Sequence, residues 1–313
     1  MRASDSRALG FTRAGLYTLS IFLVRPIRPN QPTSRPCRAF TLLELLVVIT
    51  VLALIMAIMI PSLAKARRQA RRIVCMTNLR GLGMAAQNYQ AEFEGVLPWE
   101  GYAEGDRPIR SVGYWNEPTA WFNAMLTYAG QPSYSEMFNR DAAGQAVMPK
   151  AGGHHLLICP EAGEPYGNGP GDLVQDGYFM MYGIDPSGTP NQQKTYWCYG
   201  FNTQLDGGQE NRNSPPTYHV YVRMKQIPSP QTTVLLAEKI MRADEMNPPY
   251  TSNVCQSIVS WREFTPRHDG GGDLLFLDNH VEYFSRDRVF NTPVPWDKNQ
   301  PGSIVWNPAG VAQ

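Results

Sequence analysis

The sequence predicts an α+β protein in which one long N-terminal helix precedes a small antiparallel β-sheet domain with long loops. An apolar run over residues 40–60 continues into a helical pattern that extends to residue 94. The remainder contains short alternating segments bounded by turn residues, as antiparallel strands do. The chain has 27 Gly and 26 Pro, which indicates long connections between these segments.

The apolar run predicts a transmembrane helix. Residues Phe40–Ile60 read FTLLELLVVITVLALIMAIMI and carry a single charge, on Glu44. A helix of this length is about 32 Å long, close to the hydrocarbon thickness of a bilayer. The run exceeds the apolar core of roughly 7–15 residues in a secretory signal peptide, and no small-residue cleavage site follows it. We therefore expect an anchor that spans the membrane once.

A basic segment precedes this helix. Residues 1–39 contain seven Arg and one Asp. The stretch Arg38–Val48 resembles the cleavage and methylation segment of type IV prepilins and type II secretion pseudopilins. This resemblance implies that residues 1–39 are a leader peptide, that prepilin peptidase cleaves between Ala39 and Phe40, and that Phe40 is then N-methylated. Ala39 stands where the family usually has Gly.

Glu44 is an unusual residue for a membrane helix. An ionised carboxylate costs about 2.5–3.5 kcal/mol near the centre of such a helix and less near its end. The resemblance places Glu44 at position five of the mature chain. We expect its carboxylate to neutralise the α-amino group of Phe40 in a neighbouring subunit, because two charges that are costly alone become tolerable as a pair. Glu44 is therefore predicted to act in assembly.

Residues 61–94 predict an amphipathic continuation of the same helix, with Pro61 as the position at which it could kink. Apolar residues recur at steps of three and four, as on one buried face of a helix: Ile73, Met76, Leu79, Leu82, Ala86, Tyr89 and Phe93. Gly95 is the expected C-terminal cap. A band of four arginines, Arg67, Arg68, Arg71 and Arg72, is expected to be solvated or to face lipid headgroups.

Residues 95–313 are predicted to form a periplasmic globular α+β domain. A second helix is expected over Pro118–Ala129, with Trp121, Phe122, Met125 and Leu126 on its buried face. The alternating segments predict five strands: His155–Cys159, Thr195–Asn202, Thr232–Ala237, Asp273–Leu277 and His280–Phe284. Long loops are expected over Gly163–Pro190 and Gly207–Thr217.

A second resemblance lies near the C-terminus. The segment Arg267–Tyr283 is similar to the H-x9-DG segment of a group of bacterial prepilin-like proteins, since nine residues separate His268 from Asp278. Asn279 replaces the usual Gly. Three further segments match what is typical of that group: Cys75-x-x-Asn78-Leu79, Cys159-Pro160 and Tyr199–Asn202. Together the two resemblances imply a pilin-like fold.

The Asp278-Asn279 pair predicts a β-hairpin. Two-residue type I′ turns need positive φ at both central residues, which Asn and Asp tolerate best after Gly. The alternating flanks predict that Leu274 and Phe276 face one side of the sheet, and that Leu275 and Leu277 face the other.

A metal site is the alternative interpretation of this region. Its ligands would come from His268, Asp269, Asp273, Asp278 or His280. Carboxylate-rich loops suit calcium, whereas His together with carboxylates suits zinc or a similar divalent ion. No EF-hand pattern is present, so we expect no cofactor, with calcium or another divalent metal as the alternative.

The cysteines allow a disulfide. Cleavage would remove Cys37 and leave Cys75, Cys159, Cys198 and Cys255, an even number in an oxidising compartment. The preferred pair is Cys159–Cys198, because two strands of one sheet could bring them together. The alternatives are separate buried thiols, or a Cys75–Cys159 bridge that would join the helix to the sheet.

The charge distribution argues against nucleic-acid binding. Residues 81–313 carry a net charge of −10, whereas phosphate recognition needs a basic face. No nucleophile elbow, P-loop, zinc-protease or dinucleotide-binding motif occurs, so the chain is not expected to be an enzyme.

The resemblance implies a structural subunit, or pseudopilin, of a type II secretion-like or type IV pilus-like fibre. Its expected partners are prepilin peptidase, other pilin or pseudopilin subunits and the inner membrane. The globular domain would be periplasmic or lie on a surface fibre.

The alternative is a pilin-anchored display module, a minor subunit that recognises a protein or carbohydrate. The large mature length of 274 residues favours it weakly. Its ligand contacts would come from exposed aromatic residues in the loops: Trp99, Trp115, Trp121, Tyr166, Tyr182 and Trp197. Burial of these aromatics would favour the structural subunit instead.

Overall fold

The structure is a computed structural model. It describes residues 40–99, 116–164, 173–175, 178–184, 190–205, 222–245, 257–290, 299–300, 304–306 and 308. The chain divides into two units, 1–56 and 57–313, and each is described by itself. The predicted leader, residues 1–39, and the predicted loop Gly207–Thr217 lie outside the described residues.

Helix α1 comprises Leu42–Glu92 and continues through Pro61. Within the first unit, its large apolar side chains are exposed from Leu42 to Met56. The helix is long and apolar enough to cross a membrane, and no other helix among the described residues passes this test of length and composition. This agrees with the predicted long N-terminal helix.

Within the second unit, the C-terminal half of α1 packs on the globular domain. Cys75, Leu79, Leu82 and Ala86 are completely buried. Ile73, which was predicted to lie on the buried face, is exposed. It precedes Cys75 by two residues, which places it on nearly the opposite side of a helix with 3.6 residues per turn.

At the C-terminal end of α1, one residue that was predicted to lie on the buried face is exposed. Phe93 follows the last helical residue and is 42 % exposed, although its ring lies 4.5 Å from that of Tyr89. Gly95 has the positive φ of +81° that a helix cap favours, and its N–H donates to Gln90.

The main sheet has five strands in the order β6-β4-β5-β7-β8. Four of them pair antiparallel: β4 (Tyr199–Asn202), β5 (Val234–Glu238), β7 (Gly271–Phe276) and β8 (Val281–Ser285). Strand β6 (Ile258–Val259) joins β4 in parallel. The predicted α+β architecture, a long helix with a small, mainly antiparallel sheet, is therefore confirmed.

The predicted hairpin joins β7 to β8. The turn differs from a two-residue type I′ turn, because Asn279 has positive φ, +73°, but Asp278 does not. The Asn279 N–H donates to Phe276 C=O at 2.9 Å, and the turn therefore runs over Leu277 and Asp278 before the left-handed Asn279.

Both faces of the main sheet are buried. Leu275 and Leu277 belong to the larger apolar cluster, which includes the buried face of α1. Leu274 and Phe276 belong to a second cluster on the opposite face, with Trp306. The predicted alternation of these four side chains is confirmed, and it explains why β7 is buried along its entire length.

The second helix, α2, comprises Trp121–Tyr128. Its predicted buried residues, Trp121, Phe122, Met125 and Leu126, are all fully buried. Helix α3 follows at Tyr134–Ala142, capped by the Ser133 hydroxyl, which accepts from the Glu136 N–H.

Two predictions in the middle of the chain, one of a strand and one of a loop, are wrong. His155–Cys159 forms a turn, in which the Ile158 N–H donates to His155 C=O. The predicted loop Gly163–Pro190 contains strands instead. A three-stranded antiparallel sheet is formed by β1 (Leu173–Gln175), β2 (Tyr178–Ile184) and β3 (Pro190–Thr195).

Short elements complete the described fold. Helix α4 is Arg286–Phe290, and β9 (Asn299–Gln300) pairs with β10 (Ile304–Val305). Single 3-10 turns occupy Thr203–Leu205, Met224–Gln226, Ala243–Glu245 and Trp261–Glu263.

Candidate functional site

The N-terminus of α1 forms a capping box. Thr41 precedes the helix, and its N–H and its hydroxyl both donate to the Glu44 carboxylate at 2.9 Å. The Glu44 N–H donates in return to the Thr41 hydroxyl at 3.2 Å. Two backbone N–H groups without helical partners are thereby satisfied. Glu44, the predicted assembly residue, therefore has a local partner on its own chain.

A second site lies in the core of the second unit, where four side chains from distant segments converge. Cys75 comes from α1, Cys159 follows the turn at residues 155–158, Glu238 ends β5, and His268 precedes β7. All four are buried, and their sulfur, nitrogen and oxygen atoms lie within 4.8 Å of one another. We call these four residues the Cys-Glu-His cluster.

The contacts within the Cys-Glu-His cluster run in a chain. The Cys75 sulfur lies 2.6 Å from the Cys159 sulfur. Cys159 Sγ is 3.4 Å from His268 Nε2, which is also 3.0 Å from a Glu238 carboxylate oxygen. The imidazole therefore lies between one sulfur and one buried carboxylate.

Further contacts hold the imidazole in place. His268 Nδ1 is 2.8 Å from the Glu161 carboxylate, on the side of the ring opposite Nε2. The other oxygen of Glu238 accepts from the Asp273 N–H at 2.9 Å. An imidazole fixed by a carboxylate through its second nitrogen is also what metal-binding histidines show. In terms of residue types, Cys75, Cys159, Glu238 and His268 could hold a zinc ion.

The carboxylates govern the charge of the imidazole. Burial disfavours protonation of His268, but the Glu238 carboxylate and Cys159 together outweigh this effect and raise the pKa of His268 to about 11. Burial opposes ionisation of Glu238, whereas the charge of His268 favours it, and the pKa of Glu238 is lowered as a result. The pair is therefore an imidazolium and a carboxylate near neutral pH.

The two sulfurs differ in their acidity. Burial raises the pKa of Cys75, and its hydrogen bond to Cys159 raises it further. Burial also acts to raise the pKa of Cys159, but the hydrogen bond from Cys75, the charge of Arg267 and the contact with His268 together outweigh it, and the pKa falls to about 6. Cys159 is consequently the sulfur that ionises first.

Beside the cluster lies an arginine-carboxylate pair. Arg267 donates to both carboxylate oxygens of Glu245 at 2.9 Å, and also to Lys239 C=O at 2.7 Å. Such bidentate pairs are the strong form of charge-assisted hydrogen bond. Arg267 and Glu245 also line a cavity of about 560 Å³, together with Arg67, Arg68 and Arg71.

The five residues predicted as metal ligands do not come together. His268 lies in the Cys-Glu-His cluster, and Asp273 is paired with Arg72 at 3.2 Å. Asp269 lies 3.8 Å from Arg68 in an exposed pair. Asp278 and His280 contact each other at the hairpin turn. The sequence predicted that Arg72 belongs to a solvated or headgroup-facing band of arginines. The structure corrects this prediction, because Arg72 is paired with the buried carboxylate of Asp273.

The preferred cysteine pair also differs. The sulfur that contacts Cys159 belongs to Cys75, whereas Cys198 was expected there. Cys198 is a buried thiol on the neighbouring chain segment, where its N–H donates to Leu157 C=O. Cys255 lies outside the described residues.

Sequence patterns could not reveal the whole Cys-Glu-His cluster. His268 and the cysteine segments were recognised as motif residues, but Glu238 and Glu161 were not identified. The one available signal was that Glu238 ends an apolar strand. A Glu at such a position is expected to be buried, and a buried Glu is almost always paired with another polar group.

Comparison with known families gives two matches. Residues 34–60 match the prokaryotic N-terminal methylation motif. Residues 64–254 match the family described as protein of unknown function (DUF1559). No significant similarity was found to curated proteins or to solved structures. A methylation motif followed by a DUF1559 domain is typical of prepilin-like proteins, and the chain belongs to this family.

Proposed function

We propose that this protein is a pseudopilin, a structural subunit of a type II secretion-like or type IV pilus-like fibre. Prepilin peptidase cleaves between Ala39 and Phe40, and Phe40 is N-methylated. The single observation that carries this proposal is the coincidence of the methylation motif with the start of α1: Thr41 caps the helix, and Glu44 completes the cap. The helix thus begins two residues after the proposed new N-terminus.

The exposed apolar surface of α1 supports both membrane anchoring and assembly. Its large side chains from Leu42 to Ile60 are about half exposed or more. Such a surface needs lipid or other apolar helices around it. Before assembly the inner membrane would cover it, and in a fibre the helices of neighbouring subunits would do so.

We place the globular domain in the periplasm or on a surface fibre. It would reach the periplasm when α1 spans the inner membrane once with its N-terminus in the cytoplasm. The basic segment 1–39 supports this orientation, because cytoplasmic flanks carry an excess of Arg and Lys.

A structural role fits the burial of the polar core better than a catalytic role. Cys75, Cys159, Glu238 and His268 are at most 2 % exposed, and a substrate could not reach them without local opening. Three aromatics named for a display module, Trp99, Trp121 and Trp197, are also buried. This favours the structural subunit over ligand display. Trp115, Tyr166 and the side chain of Tyr182 lie outside the described residues.

Quantifying the protein in sheared surface fibres tests the proposal. Cells would be sheared, and the protein measured by mass spectrometry in the fibre fraction and in the membrane. We expect it to be enriched with other pilin-like subunits, and to be retained in the membrane in a strain that lacks prepilin peptidase. A protein that remains entirely in the membrane of wild-type cells, under conditions where fibres form, would contradict the proposal.

A further inference from the structure

We propose that Cys75 and Cys159 form a disulfide in the mature protein, which joins helix α1 covalently to the globular domain. The inference rests on the proposed function in one respect: a periplasmic domain meets an oxidising environment, in which disulfides form and persist. The structure itself supplies the pairing, because among the described cysteines these are the two whose sulfurs are in direct contact.

The distance between the sulfurs favours a covalent bond over a shared metal. They are 2.6 Å apart. A disulfide needs an approach to about 2.05 Å, which is a shift of about half an ångström. Two thiolates on a tetrahedral zinc, each about 2.3 Å from the ion, would be about 3.8 Å apart. Zinc would therefore require these sulfurs to separate by more than 1 Å inside a packed core.

The other polar groups of the cluster are satisfied without an ion. His268 uses one ring nitrogen for Glu161 and the other for Glu238. Glu238 receives the Asp273 N–H on its remaining oxygen. Forming the disulfide adds no charge to this buried site, because the disulfide is neutral.

The chemistry requires an external oxidant, for which we name an exported dithiol oxidoreductase in its disulfide form. The Cys159 thiolate, beside the His268 imidazolium, attacks one sulfur of the oxidant's disulfide and displaces the other as a thiolate. The Cys75 thiol loses its proton and attacks the Cys159 sulfur of the mixed disulfide. The Cys75–Cys159 bond forms as the bond between Cys159 and the oxidant breaks, and the oxidant leaves as its reduced dithiol, which has taken up two electrons and the two thiol protons.

Burial fixes the order of events. Both sulfurs are inaccessible in the folded domain, so the exchange with the oxidant must take place before α1 has docked fully. The disulfide would then close a loop between residues 84 positions apart. Tension on α1 in a fibre would then be resisted by a covalent bond as well as by the packing of Leu79 and Leu82 against the domain.

Peptide mapping of the full-length protein tests the inference. Membrane proteins would be denatured in the presence of N-ethylmaleimide, which traps free thiols, and then digested with trypsin. The peptides would be measured by mass spectrometry with and without dithiothreitol. Trypsin places the four cysteines of the mature chain on separate peptides: 73–80, 151–194, 195–212 and 243–262. We expect 73–80 linked to 151–194, and the link lost on reduction.

Matched variants sharpen the result. Cys198→Ser should keep the linked peptide, whereas Cys75→Ser should abolish it and leave residue 159 labelled by N-ethylmaleimide. If N-ethylmaleimide labels both Cys75 and Cys159 in the wild-type protein, the inference is overturned. Zinc release, measured in the same sample, would then show whether the two cysteines had bound a metal. A link between 151–194 and 195–212 would overturn it as well. Protease accessibility in spheroplasts reports separately on the periplasmic location. A failure of the proposed function can therefore be distinguished from a failure of the disulfide to form.

Discussion

The side-chain oxygen of Asn279 occupies the space that a Cβ atom on Gly83 would need. Gly83 lies on the buried side of α1, and Asn279 stands at the tip of the β7–β8 hairpin with a φ of +73°. Leu275 closes the same space, because its methyl carbon would be 2.9 Å from that Cβ. The absence of a side chain at position 83 therefore permits the hairpin to dock against the helix.

We expect Gly83→Ala to destabilise the protein by about 1–3 kcal/mol, the usual effect of overpacking a core. The measurement is urea unfolding of the full-length protein in detergent, followed by tryptophan fluorescence. Asn279→Gly removes the clashing atom and suits the positive φ. The double variant should therefore recover part of the loss, and purely additive effects would contradict the proposed contact.

Arg72 is expected to contribute to docking of the helix through its contact with Asp273. Its guanidinium lies 3.2 Å from the buried carboxylate and 4.1 Å from the centre of the Tyr283 ring. Arg72→Ala should cost about 2–3 kcal/mol, because it leaves that carboxylate without its cation. Arg68→Ala is the matched control: its pair with Asp269 is exposed, and the loss should be about 0–1 kcal/mol. Equal losses in the two variants would argue against the role assigned to Arg72.

Stability should fall as pH rises above neutrality, because His268 is protonated in the folded protein. Its pKa is about 11 there, against about 6.5 in the unfolded chain. The stabilising effect is complete below about pH 6.5 and is lost as pH rises towards 11, by at most about 1.4 kcal/mol per pH unit. The unfolding midpoints of wild type and His268→Gln should therefore converge between pH 7 and pH 10. A constant difference would show that His268 is neutral in the folded state.

Two substitutions at Glu44 can separate its capping role from its charge. Glu44→Gln keeps an acceptor for the Thr41 N–H, whereas Glu44→Val removes both the acceptor and the charge. If the carboxylate neutralises the Phe40 amino group of a neighbour, both variants should be cleaved and inserted normally, yet both should assemble poorly. Fibre yield should drop to about a tenth or less, as a loss of about 1.4 kcal/mol per subunit contact implies. Normal fibres from Glu44→Gln would leave capping as the function of this residue.

Local patterns predicted the elements whose packing follows from their own sequence. The alternation of Leu274 to Leu277 was sufficient to place these four side chains on opposite faces of a sheet. The apolar spacing of α2 likewise identified its buried face. These predictions succeeded because strand and helix periods directly determine which side chains share a face.

Long-range pairings could not be predicted in the same way. Cys75, Cys159 and Glu238 lie in segments separated by more than 70 residues, and no local period relates them. The turn at His155–Cys159 was predicted as a strand because its apolar residues suit both structures, and tertiary contacts decided between them. Ile73 fits the apolar spacing of α1, but the globular domain covers the side that carries Cys75.

The central claim is that this chain is processed and methylated as a prepilin-like subunit. Mass spectrometry of the N-terminal peptide of the mature protein tests it most directly. We expect the protein from wild-type cells to begin at Phe40 with one additional methyl group on its α-amino nitrogen, and the protein from cells lacking prepilin peptidase to retain its leader. An intact leader in wild-type cells, or a mature chain that begins elsewhere or lacks the methyl group, would contradict the account.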